Sequence, residues 1–203
     1  MQSKEQPMAP TPTTDRTVID EILAGNPRAY ASLVDRYKDR ALTMASRLVG
    51  DRAEAEELVQ DAFVRAYRSL ERFRGESAFG TWFYRILYNL CMSAITRRRE
   101  RPRQFYEHEE EALDAAMADT GEPTALERME EEELQSMISE EVNRLPEKLK
   151  SAVLLFYVEG MSYDEMAEVL QVPLGTVKTN LFRGRTLLRA RVLRRADKEV
   201  HAA

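Results

Sequence analysis

The stretch Ser162–Arg195, SYDEMAEVLQVPLGTVKTNLFRGRTLLRARVLRR, decides how the whole chain is read. Ser162 is placed to cap a helix, and Glu165 three residues on completes a capping box. Val169, Leu170 and Val172 close an apolar face, and Pro173 cannot continue the helix. A second helix begins over residues 174–176, which is the spacing of a helix-turn-helix. On that second helix Val177, Leu181, Gly184 and Leu188 share one side. Thr179, Phe182, Arg183 and Thr186 point the other way, with Lys178 and Arg189 on a flank. No acidic residue occurs from Val169 to Ala196, while Lys178, Arg183, Arg185, Arg189, Arg191, Arg194 and Arg195 all lie there. Such a face suits a polyanion, with the N-terminal half of the helix in a major groove and its trailing arginines along phosphates.

Working outward, the net charge of −5 conceals a segregation. Residues 104–141 hold 14 acidic side chains and one basic one, Arg128, a balance of −13 that leaves +8 on the rest. The chain is thus a basic protein with an acidic insert. Its single cysteine, Cys91, excludes an internal disulfide and a cysteine zinc site, and is expected to pack as a small apolar residue. His108 and His201 lie far apart in polar surroundings, so no metal is expected. No apolar run reaches the length of a membrane span, and a cytoplasmic protein without cofactor or small-molecule ligand is expected.

Residues 1–14, with Pro7, Pro10 and Pro12, read as a disordered tail. Asp15 is placed to cap a short helix carrying Val18, Ile19, Ile22 and Leu23. A longer helix follows Pro27, with Tyr30, Leu33, Val34, Tyr37, Ala41, Met44, Ala45 and Leu48 at helical spacing. Asp51 caps a third, whose buried stripe is Leu58, Val59, Ala62, Phe63, Ala66 and Leu70. Glu54, Glu57 and Asp61 crowd its other face, either complementing the helix dipole or offering a docking surface to a basic partner.

The segment Ser77–Arg99 is again free of acids. Phe83, Ile86, Leu87, Leu90 and Ala94 form its packing face, leaving Tyr84, Tyr88 and Arg85 outward and Trp82 and Asn89 at one edge. Aromatics interleaved with cations are what single-stranded nucleic acid requires, since bases stack on rings while cations meet phosphates. Residues 101–135 read as an acidic flexible linker, with short helical pieces near 109–117. Leu126, Met129, Leu134, Met137, Ile138 and Val142 restore a helical pattern. A helix from Leu145-Pro146 then turns Leu149, Val153, Leu154 and Tyr157 inward. The expected fold class is all-α, with two small helical domains at 15–100 and 136–197.

The residues together resemble bacterial sigma factors of the extracytoplasmic-function group, from about Ile22 to Arg195. AEELVQDAFVRAYRSLERFRGESAFGTWFYRILYN is similar to sigma region 2, and LPEKLKSAVLLFYVEGMSYDEMAEVLQVPLGTVKTNLFRGRTLLR to sigma region 4. The resemblance implies a region 2 helical bundle, a region 4 helix-turn-helix, and a linker where larger sigma factors carry region 3. It further implies that Glu54, Glu57, Gln60 and Asp61 dock on core RNA polymerase at the β′ clamp helices, with region 4 meeting the β flap. Phe79, Trp82, Tyr84, Arg85, Tyr88 and Asn89 would engage the single-stranded −10 element, Asn89 receiving a flipped base. Thr176, Lys178, Thr179, Phe182, Arg183 and Thr186 would read the −35 duplex. An anti-sigma factor is implied as a further partner.

A sigma factor makes no covalent chemistry, so no enzyme is expected. The alternative is a stand-alone helix-turn-helix regulator, which would have no use for the aromatic-cationic face at 77–99. An enzyme on a helical bundle would need a convergent set of nucleophile, base or metal ligands, and the sequence offers none.

Overall fold

The computed structural model describes residues 12–100 and 125–200, and among these every regular element is helical. The expected tail up to residue 11, the helical pieces near 109–117, most of the acidic linker, His108 and His201 lie outside the described residues.

The first helix, α1 (Pro12–Leu23), begins three residues before the expected cap. Asp15 therefore sits within the helix, and it is buried. Its carboxylate accepts from the Arg36 guanidinium and the Tyr37 hydroxyl of the next helix, α2 (Tyr30–Val49). What looked like a local cap is a long-range tie of α1 onto α2. Helix α2 turns Leu33, Tyr37, Ala41, Met44, Ala45 and Leu48 inward, as their spacing predicts.

Asp51 caps α3 (Arg52–Arg68) as expected, its side chain accepting from the Glu54 N–H at 2.8 Å. Ala55, Ala62 and Ala66 are all fully buried on α3, which lets its backbone approach its neighbours closely. Helix α4 (Phe79–Glu100) completes the first bundle. Phe83 stacks on Phe63 with ring centroids 4.5 Å apart and meets Tyr37, Phe79 and Tyr84 around it.

The second half comprises α5 (Ala125–Asn143), α6 (Glu147–Tyr157), α7 (Tyr163–Leu170) and α8 (Leu174–Val200). The capping box is complete: Ser162 accepts from the Glu165 N–H, and Glu165 accepts from the Ser162 N–H at 2.9 Å. Gln171 ends α7 in the left-handed region at φ 54°. Val177 and Leu181 are buried, as expected of the packing side of α8. Gly184 belongs to that side for a steric reason. A Cβ there would stand 2.9 Å from Val153 Cγ2, so α8 crosses α6 closer than any other residue permits. Tyr157, expected inward, is 46% exposed at the last turn of α6; Leu155, at 0%, takes the buried place instead.

The two halves touch. Helix α4 packs on α7 and α2 on α6, so buried residues of both halves form one continuous cluster.

Candidate nucleic-acid and polymerase interfaces

Helix α8 presents its outward face to solvent as the wheel requires: Thr176, Lys178, Thr179, Phe182, Arg183 and Thr186 are all exposed. Phe182 stands 71% exposed, a large apolar ring left in solvent on this face. The Lys178 ammonium lies 5.9 Å from the centre of the Tyr163 ring, which holds that flank near α7. The hydroxyls of Thr179 and Thr186 donate to the carbonyls of Gly175 and Phe182, so each keeps only acceptor capacity toward a ligand. Arg183 meets none of the described carboxylates.

The trailing arginines divide. Arg191 reaches Glu141 of α5 at 3.8 Å and Arg195 pairs with Glu140, so both hold the end of α8 against α5. Arg194, between them, stays exposed. The sequence placed all three along phosphates; α5 claims two, because its own acidic turn ends beside them.

The aromatic face of α4 is not open. Tyr84 is 2% exposed and Tyr88 half-buried, where both were read as outward. Tyr84 lies between Tyr37 and Glu159, and Tyr88 lies against Ser151 of α6. Desolvation drives the Tyr84 hydroxyl well above the usual tyrosine range. The physical reason is that the side of α4 facing away from the first bundle's core faces α6 and α7, not water. Phe79 is likewise buried, at the centre of a ring cluster with Tyr37, Phe73 and Phe83. Trp82 and Arg85 are half-buried, and Asn89 is exposed. Trp82 rests on Phe73 and Phe79, with centroids 5.1 and 5.8 Å away, so its ring is held in place from below.

On α3, Glu57 and Gln60 are exposed, whereas Asp61 pairs with Arg65 at 2.9 Å and Glu54 with Arg98 at 3.7 Å. Beside them runs a trough of about 770 Å³ between α2 and α3, floored by Tyr30, Val34, Val59 and Phe63 and edged by Gln60. Val64 and Tyr67 stand 40% and 42% exposed on its wall. The sequence reading passed over both. Their signal was an apolar pair lying beyond the width of stripe that the first bundle's core can use.

Comparison with known proteins identifies the family of the two halves. The sigma-70 region 2 family model matches residues 33–101, and the sigma-70 region 4 family model matches residues 135–188. The chain is 34% identical over 181 residues to the ECF RNA polymerase sigma-E factor of Haemophilus influenzae, covering 88% of this chain and 95% of that one. It is 36% identical over 179 residues to the RNA polymerase sigma-H factor of Pseudomonas aeruginosa, covering 86% and 92%. The fold is similar to that of CnrH in complex with the cytosolic domain of CnrY, with a TM-score of 0.63 at 24% identity over 90% of this chain and 98% of that one. It is equally similar, with a TM-score of 0.63, to the sigma factor RpoE in complex with the anti-sigma factor NepR from Bartonella quintana, at 21% identity over 80% and 96%. With both regions matched in order and the relatives covered almost end to end, this chain belongs to the extracytoplasmic-function sigma factors, the subunits that direct RNA polymerase to promoters and begin transcription.

Proposed function

We propose that the chain divides promoter recognition between its two halves. Residues 136–197 hold the −35 duplex, with Thr176, Lys178, Thr179, Phe182, Arg183 and Thr186 toward the major groove. Residues 15–100 bind core polymerase and engage the −10 strand. Glu57 and Gln60 lead the docking face, with Glu54, Asp61 and the trough walled by Val64 and Tyr67 beside them. Trp82, Arg85 and Asn89 meet the unpaired strand, Phe79 supports the Trp82 ring, and Tyr84 and Tyr88 join once uncovered. Residues 101–124 join the halves, because α5 already begins at Ala125, ten residues before the expected end of the linker. Polymerase supplies the catalysis, the chain itself makes no covalent chemistry, and its place of work is the cytoplasm. The β′ clamp helices and the β flap are the proposed contacts on core. An inhibitor of the anti-sigma kind is proposed as well, by likeness to the neighbours solved with CnrY and NepR.

The observation that carries this reading is the acid-free, solvent-facing side of α8, with Phe182 and Arg183 presented from a helix-turn-helix fixed by its capping box. Arg183→Ala should cost about 1–3 kcal/mol of duplex affinity and relax discrimination at one base pair, as loss of a bidentate guanine contact does. Arg194→Ala should weaken all sequences alike and flatten the salt dependence. Equal, sequence-blind losses for both would reduce Arg183 to a phosphate contact.

The role itself is tested by adding core polymerase. The purified chain should bind promoter duplex weakly and with little specificity. With core it should make thymines near the start site reactive to permanganate and should initiate RNA. Tight, specific duplex binding by the chain alone, with no association with core, would instead establish the stand-alone regulator.

A further inference from the structure

The far end of α8 is fastened to α5 by charge. Both oxygens of Glu141 are engaged: Oε1 accepts from Arg144 at 2.8 Å, and Oε2 lies 3.8 Å from Arg191. Arg195 donates to Glu140, and Arg191 donates to the Arg144 carbonyl at 3.1 Å. Glu141 is 6% exposed, so both guanidiniums meet it largely out of water, where such contacts are strongest. The hydrogen bond from Arg195 holds the Glu140 carboxyl below the usual carboxylate range, which keeps it ionised at neutral pH.

Fastening alone does not call for these charges. Leu134 and Ile138 lie on the same side of α5 as Glu141, yet they stay 46% and 37% exposed. An apolar seam would join the two helices at least as firmly as the ion pairs do. What the ion pairs do decide is which cations α8 offers to solvent. Lys178, Arg183, Arg185, Arg189 and Arg194 are exposed, whereas Arg191 and Arg195 are partly covered and turned to α5. By helical spacing Arg194 shares the side of Arg183, while Arg191 and Arg195 share the side of Leu188.

Each cation that reaches a phosphate adds affinity for every sequence and dilutes the share that base contacts supply. A chain docked in a major groove has its register fixed by residues 176–186, so arginines further along meet only the phosphates that register presents. A chain bound at random can turn to use them all, so freed arginines would favour the wrong complex. We propose that Glu140 and Glu141 are specificity-determining residues of the duplex face. By holding Arg144, Arg191 and Arg195 off phosphates, they keep sequence-blind affinity low and leave discrimination to the base-facing residues of α8. They touch no DNA themselves and act through the arginines. The role rests on the assignment of that face to duplex DNA.

The test titrates the full-length chain with a short duplex of scrambled sequence, by fluorescence anisotropy over a range of salt. Glu140→Gln with Glu141→Gln frees the arginines at nearly constant side-chain size. The slope of log affinity against log salt should steepen by about 0.9 for each arginine that finds a phosphate, so by about 1–3 in all. Preference for promoter duplex over the scrambled one should fall about fivefold or more. A second variant, Glu141→Leu, keeps α5 seated through an apolar contact and frees Arg191, so its slope should steepen too, with helical circular dichroism unchanged. Adding Arg144→Gln, Arg191→Gln and Arg195→Gln to the glutamine pair should return the slope to that of the wild type. A wild-type slope in both glutamate variants would reduce Glu140 and Glu141 to a fastening, and overturn the proposal. A slope below wild type in the five-residue variant would overturn it as well, since the arginines would already be meeting phosphates. If Arg183→Ala leaves discrimination between the duplexes untouched, the duplex assignment falls and takes the proposal with it. If Arg183→Ala relaxes discrimination while the glutamate variants keep the wild-type slope, the assignment stands and the proposal alone falls.

Discussion

Promoter opening should fall by about 100-fold or more when Trp82 and Asn89 are both replaced by alanine, with the affinity for core polymerase unchanged. The argument begins with spacing. Residues seven apart on a helix return to the same edge, and Trp82 and Asn89 share one edge of α4. The Trp82 ring is held from beneath by Phe73 and Phe79, so a base that stacks on it meets a surface already ordered. Asn89 is exposed, and its amide offers both donor and acceptor to a base edge. Pulling a base from the duplex stack costs a few kcal/mol, and the receiving site must return it. One stacking platform is worth about 1–3 kcal/mol and one set of hydrogen bonds a comparable amount, so losing both leaves the strand paired. Glu57 and Gln60, proposed to lead the docking face, lie on α3, apart from this edge, which is why core affinity is expected to survive. Permanganate footprinting of the thymines near the start site decides it. Normal reactivity in the double variant would place the base-receiving site elsewhere.

The second large effect is a pH response of the packing between the two halves, closed where Glu159 at the turn after α6 lies 3.6 Å from Arg40 of α2 and open where that contact is lost. Burial pushes the Glu159 carboxyl up to about 7, against the pull of the Tyr84 hydroxyl on α4 and the Arg40 guanidinium on α2. Tyr37, also on α2, faces the group only through Tyr84. In the open chain the carboxyl returns to its ordinary value of 4.5. The closed form therefore binds an extra proton between these values, and its stability falls as pH rises. The protonated contribution is fully present below 4.5 and lost as pH rises through about 7. At about 1.4 kcal/mol per unit the whole window is worth roughly 3 kcal/mol, or on the order of a 100-fold change in the open-to-closed ratio. Glu159→Gln, neutral at every pH, should flatten that response and hold the chain closed at pH 8. A titration of energy transfer between dyes on cysteines introduced at Glu71 and Glu168, one in each half, that leaves the wild-type ratio level from pH 5 to 8 would show that Glu159 keeps its charge in the closed form.

What the sequence made legible was everything decided within one helix or its ends. The Ser162 and Asp51 caps are contests among neighbours a few residues apart, and the sequence contains every contestant. The outward set on α8 was readable for a related reason: its packing side is narrow, and a glycine at 184 marked the close crossing. Apart from Tyr157 at the last turn of α6, the misreadings concern partners remote in the chain. Asp15 looked free to cap because nothing local announced Arg36 and Tyr37. Tyr84 was placed in solvent because a wheel divides a helix into core and water, and it has no category for a second domain. Arg191 and Arg195 were assigned to phosphates because α5, which takes them, is about 50 residues upstream. The outward face of α8 could thus be found by pattern alone, whereas the outward face of α4 needed the fold.

Cys91 carries a consequence for signalling. It is the chain's one cysteine, fully buried in α4, and burial pushes its thiol up to about 12. At neutral pH the reactive thiolate is then only about one part in 100,000, too little to meet peroxide or a disulfide at any useful rate. An oxidative signal read through Cys91 would first have to unpack α4 and bring the thiol to the surface, so this cysteine reports on the integrity of the first bundle rather than on the redox state around it.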